Sequence, residues 1–139
     1  MSIVLGLSGT AVLAAVHVGL LFGISRLVPR HPSSPPFVTF YVFCLLALTH
    51  FAEISLYAAY LAGLEKTLYP GSLIISSPEG SYRDWLYFSG INFTTLGFTS
   101  QHVNGPLRLV SMFESLAGFM LLTWSATYLY SICGKYWEK

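Results

Sequence analysis

The sequence predicts an all-α membrane protein built from three transmembrane helices and one short re-entrant helix. Three observations carry that prediction. Of 139 residues, 54% are hydrophobic and only 9% charged, where a soluble domain of this size carries about a quarter charged; mean hydropathy is +0.62. Three apolar runs each reach the roughly 20 residues that a helix needs to cross a bilayer. A further apolar run, between the second and third spans, has about half that length and cannot cross.

The first span runs from Ile3 to Leu27. It lacks a basic leader and is too long for a cleaved signal, so it reads as a retained helix. The stretch RLVPRHPSSPP then ends one helix and starts the next, because proline stops the first and tolerates the opening turn of the second. The second span runs from Phe37 to Leu64. The long connection from Glu65 to Gly105 opens with YPGSLIISSPEGS, which is turn-rich. From Arg83 to Phe93 it becomes aromatic and apolar, as a re-entrant helix would. Ser81 followed by Asp84 reads as a capping-box variant, with the acid at the favourable helix end. Next comes FTTLGFTS, Phe93 to Ser100. Irregular backbone at membrane depth survives only where protein or a water-filled cavity covers it, so this stretch must line something. The third span runs from Pro106 to Cys133.

Charge orients the chain. The first loop carries Arg26 and Arg30 and no acid, and the C-terminus carries Lys135 and Lys139 against Glu138. The long connection holds Lys66 and Arg83 against Glu65, Glu79 and Asp84. The positive-inside bias places the first loop and the C-terminus in the cytoplasm, and the N-terminus outside a cell membrane. Tyr136 and Trp137 fit an interfacial aromatic belt at the inner face. A net charge of +1 gives no nucleic-acid signal. Cys44 and Cys133 sit in apolar runs without metal or disulfide spacing. There is no phosphate loop, nucleophile motif or metal spacing, so neither an enzyme nor a cofactor is expected.

From about Phe37 onward, the order of outer helix, half-length helix, extended segment and long helix resembles the pore domain of potassium-type channels. The resemblance divides the chain into an N-terminal helix with its cytoplasmic loop (1–35) and a pore domain (36–139). That family's filter reads Thr-Val-Gly-Tyr-Gly, preceded by a second Thr. Thr94, Thr95 and Gly97 match it, Leu96 and Phe98 are conservative replacements, and Thr99 and Ser100 depart from it. The loop is also similar to the single-glycine filter loops of the Trk/Ktr potassium transporters.

The resemblance implies four copies of the chain around one axis, with K+ or Na+ as the transported ion. Thr94, Thr95, Leu96, Gly97, Phe98 and Thr99 would form the ion-coordinating segment, since such filters replace an ion's water shell with backbone carbonyls. Thr95, Leu96 and Gly97 would supply the carbonyl ladder, Phe98 a cuff behind it, and Gly118 a hinge in the inner helix. Gly97 meets the need for positive φ. Thr99 stands where the family has a second glycine, and a β-branched residue held at positive φ costs about 1–3 kcal/mol. The outer part of the filter is therefore expected to follow another path. The resulting expectation is a passive monovalent cation channel with weaker K+ selectivity than a Gly-Tyr-Gly filter. The alternative is a non-conducting accessory subunit of a larger membrane complex.

Polar residues within the spans need partners, because burying them is expensive. His50 and Glu53 lie three apart, on one helix face. Glu53 and Glu114 lie roughly 16 Å and 12 Å from the outer ends of their spans, at about 1.5 Å per residue. In that family a carboxylate on the pore helix often braces the filter. Ile91 holds that place here, beside Asn92, so Asn92, His50, Glu53 and Glu114 are the candidate braces. The plainer reading is an interhelical hydrogen bond to Ser, Thr or Asn. A metal site of His50, Glu53 and Glu114 lacks a convincing ligand set, so no metal beyond the transported ions is expected. His17 reads as an interhelical packing residue, His102 as a loop histidine and Arg108 as a headgroup anchor.

Overall fold

A computed structural model describes residues 1–29, 34–74 and 81–137. Arg30, Glu79, Glu138 and Lys139, which contribute to the orientation reading, lie outside the described residues. Among the described residues, four α-helices appear in order: α1 (Ser2–Leu27), α2 (Pro35–Thr67), α3 (Tyr82–Phe93) and α4 (Leu107–Trp137). The first, second and fourth are long and apolar enough to cross a membrane. Each closes its own backbone hydrogen bonds, which is what a hydrocarbon environment demands. The first two predicted spans sit inside their helices, and the third begins at Pro106, one residue before α4.

α1 packs mainly against α4 and also against α2. Small residues make the approach close, as in many membrane helix pairs. A Cβ on Gly6 would come within 2.2 Å of the Phe113 ring, and one on Gly9 would reach Tyr57 and Tyr60 at 3.0 Å. Polar side chains then tie the helices across the seam. Tyr60 donates to the Leu5 carbonyl at 2.9 Å, Tyr57 to the Val110 carbonyl at 3.1 Å and Thr10 to the Phe113 carbonyl at 3.3 Å. One core cluster, around Leu13, Tyr57, Leu61, Phe93 and Val110, joins α1, α2, α3 and α4. A second, around Leu21, Ile24, Val42 and Ile132, closes the opposite end of the three long helices.

α3 is a 12-residue helix held against α2 and α4. The capping box is present. Ser81 Oγ accepts from the Arg83 amide at 3.3 Å, and Asp84 Oδ2 accepts from the Ser81 amide at 2.9 Å. Trp85, Phe88, Ser89 and Phe93 form its buried stripe, spaced as one helix face requires. Tyr82 donates to the Ser55 carbonyl at 2.9 Å and pins the start of α3 to α2.

The long connection also contains structure that its turn-rich composition does not suggest. β1 (Leu73–Ile74) pairs antiparallel with β2 (His102–Val103), with Leu73 opposite Val103 and Ile74 opposite His102. The Asn104 amide extends the clip by donating to the Ser72 carbonyl at 2.8 Å. This clip fastens the chain before α3 to the chain after the extended segment.

Candidate functional site

The site is built at the end of α3. Here the helix stops through a Schellman-type cap. The Leu96 amide reaches back to the Ile91 carbonyl at 3.1 Å, and the Thr95 amide to the Asn92 carbonyl at 2.9 Å. That geometry needs a left-handed residue, a role usually filled by glycine. Thr95 fills it, with φ 58°, and is the sole non-glycine residue at positive φ among those described. Thr94 closes the preceding turn by donating its hydroxyl to the Gly90 carbonyl at 2.7 Å.

Beyond the cap the chain is extended. Gly97 returns to positive φ, at 66°, so left-handed residues recur two apart, at 95 and 97. Among the described residues, no hydrogen bond ends on the carbonyl oxygens of Thr95, Leu96, Gly97 or Phe98. Thr99 is not left-handed. Its hydroxyl instead accepts from the Gln101 amide at 3.0 Å. Thr99 thus avoids the strained conformation, as expected, and the left-handed threonine is Thr95, because the helix cap needs the turn there. Phe98 makes no cuff within one chain: it is 89% exposed, and Leu96 is 68% exposed.

Behind the segment, α3 rests directly on α4. A Cβ on Gly118 would lie 2.1 Å from the Phe93 carbonyl oxygen and 2.8 Å from its Cα. α4 is continuous through this point. Besides the hinge role expected of it, glycine has a packing reason here: only hydrogen fits beneath the end of α3.

The polar residues of the spans separate into two clusters. In the first, Ser89 of α3 lies within hydrogen-bond distance of the Ile54 carbonyl on α2, at 2.9 Å, and of Glu114 on α4. Its single hydroxyl proton serves one of them at a time. Glu114 is fully buried, and this is the carboxyl that braces α3.

In the second cluster, Glu53 on α2 accepts from His17 Nδ1 at 2.7 Å and from His50 Nδ1 at 2.9 Å. His17 and Glu53 are fully buried. The two imidazoles stack with centroids 5.7 Å apart, and His50 also meets the Phe93 ring at 5.7 Å. The metal set weighed from sequence, His50, Glu53 and Glu114, is thus not the one that assembles. His17 replaces Glu114, because α1 and α2 face each other there. Asn92 joins neither cluster and donates to the Phe88 carbonyl of its own helix at 2.9 Å.

Sequence reasoning missed Ser89, Gln101 and the pairing of His17. Gln101 Nε2 donates to Asp84 Oδ1 at 3.2 Å, so one aspartate both caps α3 and holds the chain that leaves the extended segment. A histidine in an apolar span was the one usable signal for His17; a serine on α3 or a glutamine in a loop carries none. A cavity of about 490 Å³ adjoins the segment, lined among others by Asn92, Thr99, Gln101, His102, Arg108 and Ser111.

A family model described as an ion channel, of the two-transmembrane, potassium-channel-like kind, matches residues 37–135. Neither the curated proteins nor the solved structures contain a match. The likeness of the loop to Trk/Ktr transporters gains no support from these comparisons.

Proposed function

Because the chain belongs to this ion-channel family, we propose that it forms a passive monovalent cation pathway lined by Thr94, Thr95, Leu96, Gly97, Phe98 and Thr99. The observation that carries the reading is the row of carbonyls from Thr95 to Phe98 that accept no hydrogen bond among the described residues. Thr95, Leu96, Gly97 and Phe98 are exposed in the single chain, so their carbonyls are open to water or to what a neighbouring copy encloses. Carbonyls left without protein partners at membrane depth are suited to water or to a cation, whose hydration shell they replace. Left-handed residues at 95 and 97 favour that arrangement, since alternating handedness turns successive peptide planes toward one side.

One chain supplies one such segment. A central pore requires several copies, and closed symmetry makes identical copies the simplest assembly; the family resemblance implies four. The exposure of Leu96 and Phe98 in the single chain and the cavity beside Thr99 supply surfaces for neighbouring copies to cover. The N-terminus would lie outside and the C-terminus in the cytoplasm.

Selectivity would favour K+ over Na+ less strongly than a Gly-Tyr-Gly filter does. The outer Thr99 does not take the conformation of a second filter glycine, so fewer carbonyl rings define the site. Reconstitution into vesicles or planar bilayers, with reversal potentials in mixed K+/Na+, tests this. A cation current with modest K+ preference is expected. Strong K+ selectivity would overturn the weak-filter reading. No flux from a well-folded protein would overturn the channel reading and favour an accessory subunit.

A further inference from the structure

We infer that His17, His50 and Glu53 form a binding site for a divalent transition metal of the zinc class, joining the N-terminal helix to the helix that opens the matched region. One donor atom from each residue lies within 4.8 Å of the other two. The two Nδ1 atoms stand 2.7 and 2.9 Å from the Glu53 oxygens. Tetrahedral zinc, with bonds of about 2.0–2.2 Å to imidazole and carboxylate, sets neighbouring donors roughly 3.3 Å apart. The donors are already gathered, and widening each nitrogen–oxygen pair by about half an ångström brings it to that separation. Two imidazoles and one carboxylate form a ligand set that leaves the fourth position open. Imidazole donors select zinc, nickel, copper or iron over the oxygen-seeking calcium and magnesium.

One further observation points to a ligand. Glu53 is completely buried within a span, and its nearest partners are imidazoles, which carry charge only when protonated. A dication would offset the carboxylate charge. His50, with 13% of its side chain exposed, provides the access route and the direction of the fourth position. Each imidazole ligates in its neutral form, with its proton on the ring nitrogen that does not bind metal. Because His50 also contacts Phe93, the last residue of α3, occupancy would stiffen the root of the extended segment.

The test uses the full chain, purified in detergent and stripped with a chelator, then titrated with Co2+ and competed with Zn2+. One Co2+ per chain is expected, with the intense visible absorption of a tetrahedral site, displaced by Zn2+ and not by Mg2+ or Ca2+. H50Q and E53Q should each weaken binding on the order of 100-fold or more, beyond the 10–100-fold loss typical when a mere supporting partner is removed. Circular dichroism and size-exclusion chromatography confirm that the variants fold. Should either variant misfold, cobalt-edge X-ray absorption on the wild-type chain decides instead, through the scattering signature of two imidazoles. Absence of stoichiometric Co2+, binding undiminished in folded H50Q and E53Q, or an absorption edge without imidazole scattering overturns the proposal and leaves a cluster that holds only protons. None of these readouts depends on ion flux, so the outcome is separate from that of the channel reading.

Discussion

Gly118→Ala places one methyl group where the structure leaves no room. The new Cβ would stand 2.1 Å from the Phe93 carbonyl oxygen, about 0.9 Å inside the 3.0 Å separation that real Cβ contacts essentially never breach. The opposing atoms are backbone, so no rotamer change relieves the clash. Either α3 lifts off α4 or α4 bends away. Overpacking of this kind costs about 1–3 kcal/mol, and more where the neighbours cannot yield. Alanine recovers about 1 kcal/mol of helix propensity over glycine. Because the opposing atoms are backbone, the upper end of that range applies, and the net destabilisation should be about 2 kcal/mol. Gly19 provides the signed control. It lies within α1 with nothing within 4 Å of its added Cβ, so Gly19→Ala should leave stability unchanged or raise it slightly. Thermal unfolding in one detergent reads both variants. Reversal potentials read the consequence for Thr94 and Thr95, which follow Phe93 directly and would move with it. If G118A matched wild type in both melting and ion preference, the close seating of α3 on α4 would be refuted.

Three further outcomes are expected. Thr95→Gly removes a β-branched residue from the left-handed cap; relief of about 1–3 kcal/mol, less about 0.5–1 kcal/mol of glycine backbone entropy, should raise the melting temperature, while loss of the hydroxyl should alter permeation. A lower melting temperature would show that Thr95 is not strained there. Thr99→Gly should shift reversal potentials toward stronger K+ preference, and an unchanged preference would mean that Thr99 lies outside the ion path. Ser81→Ala removes the cap of α3 and should cost about 1 kcal/mol, read as a lower melting temperature with fold and oligomeric state retained; an unchanged melting temperature would mean that the capping box adds nothing.

Composition and run length were enough to reveal the three spans, because crossing a bilayer is a one-dimensional requirement on chain length and polarity. The short helix was legible for a related reason. Ser81 and Asp84 cap it locally, and local hydrogen bonds depend on neighbours in sequence. The Thr94–Thr99 stretch stood out because its Thr-Thr-x-Gly-aromatic string, set between a half-length helix and a full span, resembles a filter. Rotational phase was not legible. The spans are apolar on every side, so nothing along the chain distinguishes the face that meets lipid from the face that meets protein. Hence Glu53 and Glu114 looked equivalent, while packing sends one to His17 and His50 and the other to Ser89. Nothing along the chain places the Phe93 carbonyl against Gly118. That Thr95 would be left-handed was not legible either, because the helix must end where α3 meets α4 and the cap falls on whichever residue comes next. Length, polarity and local capping act along the chain; partners, close contacts and strain arise only when helices far apart in sequence turn particular faces toward one another.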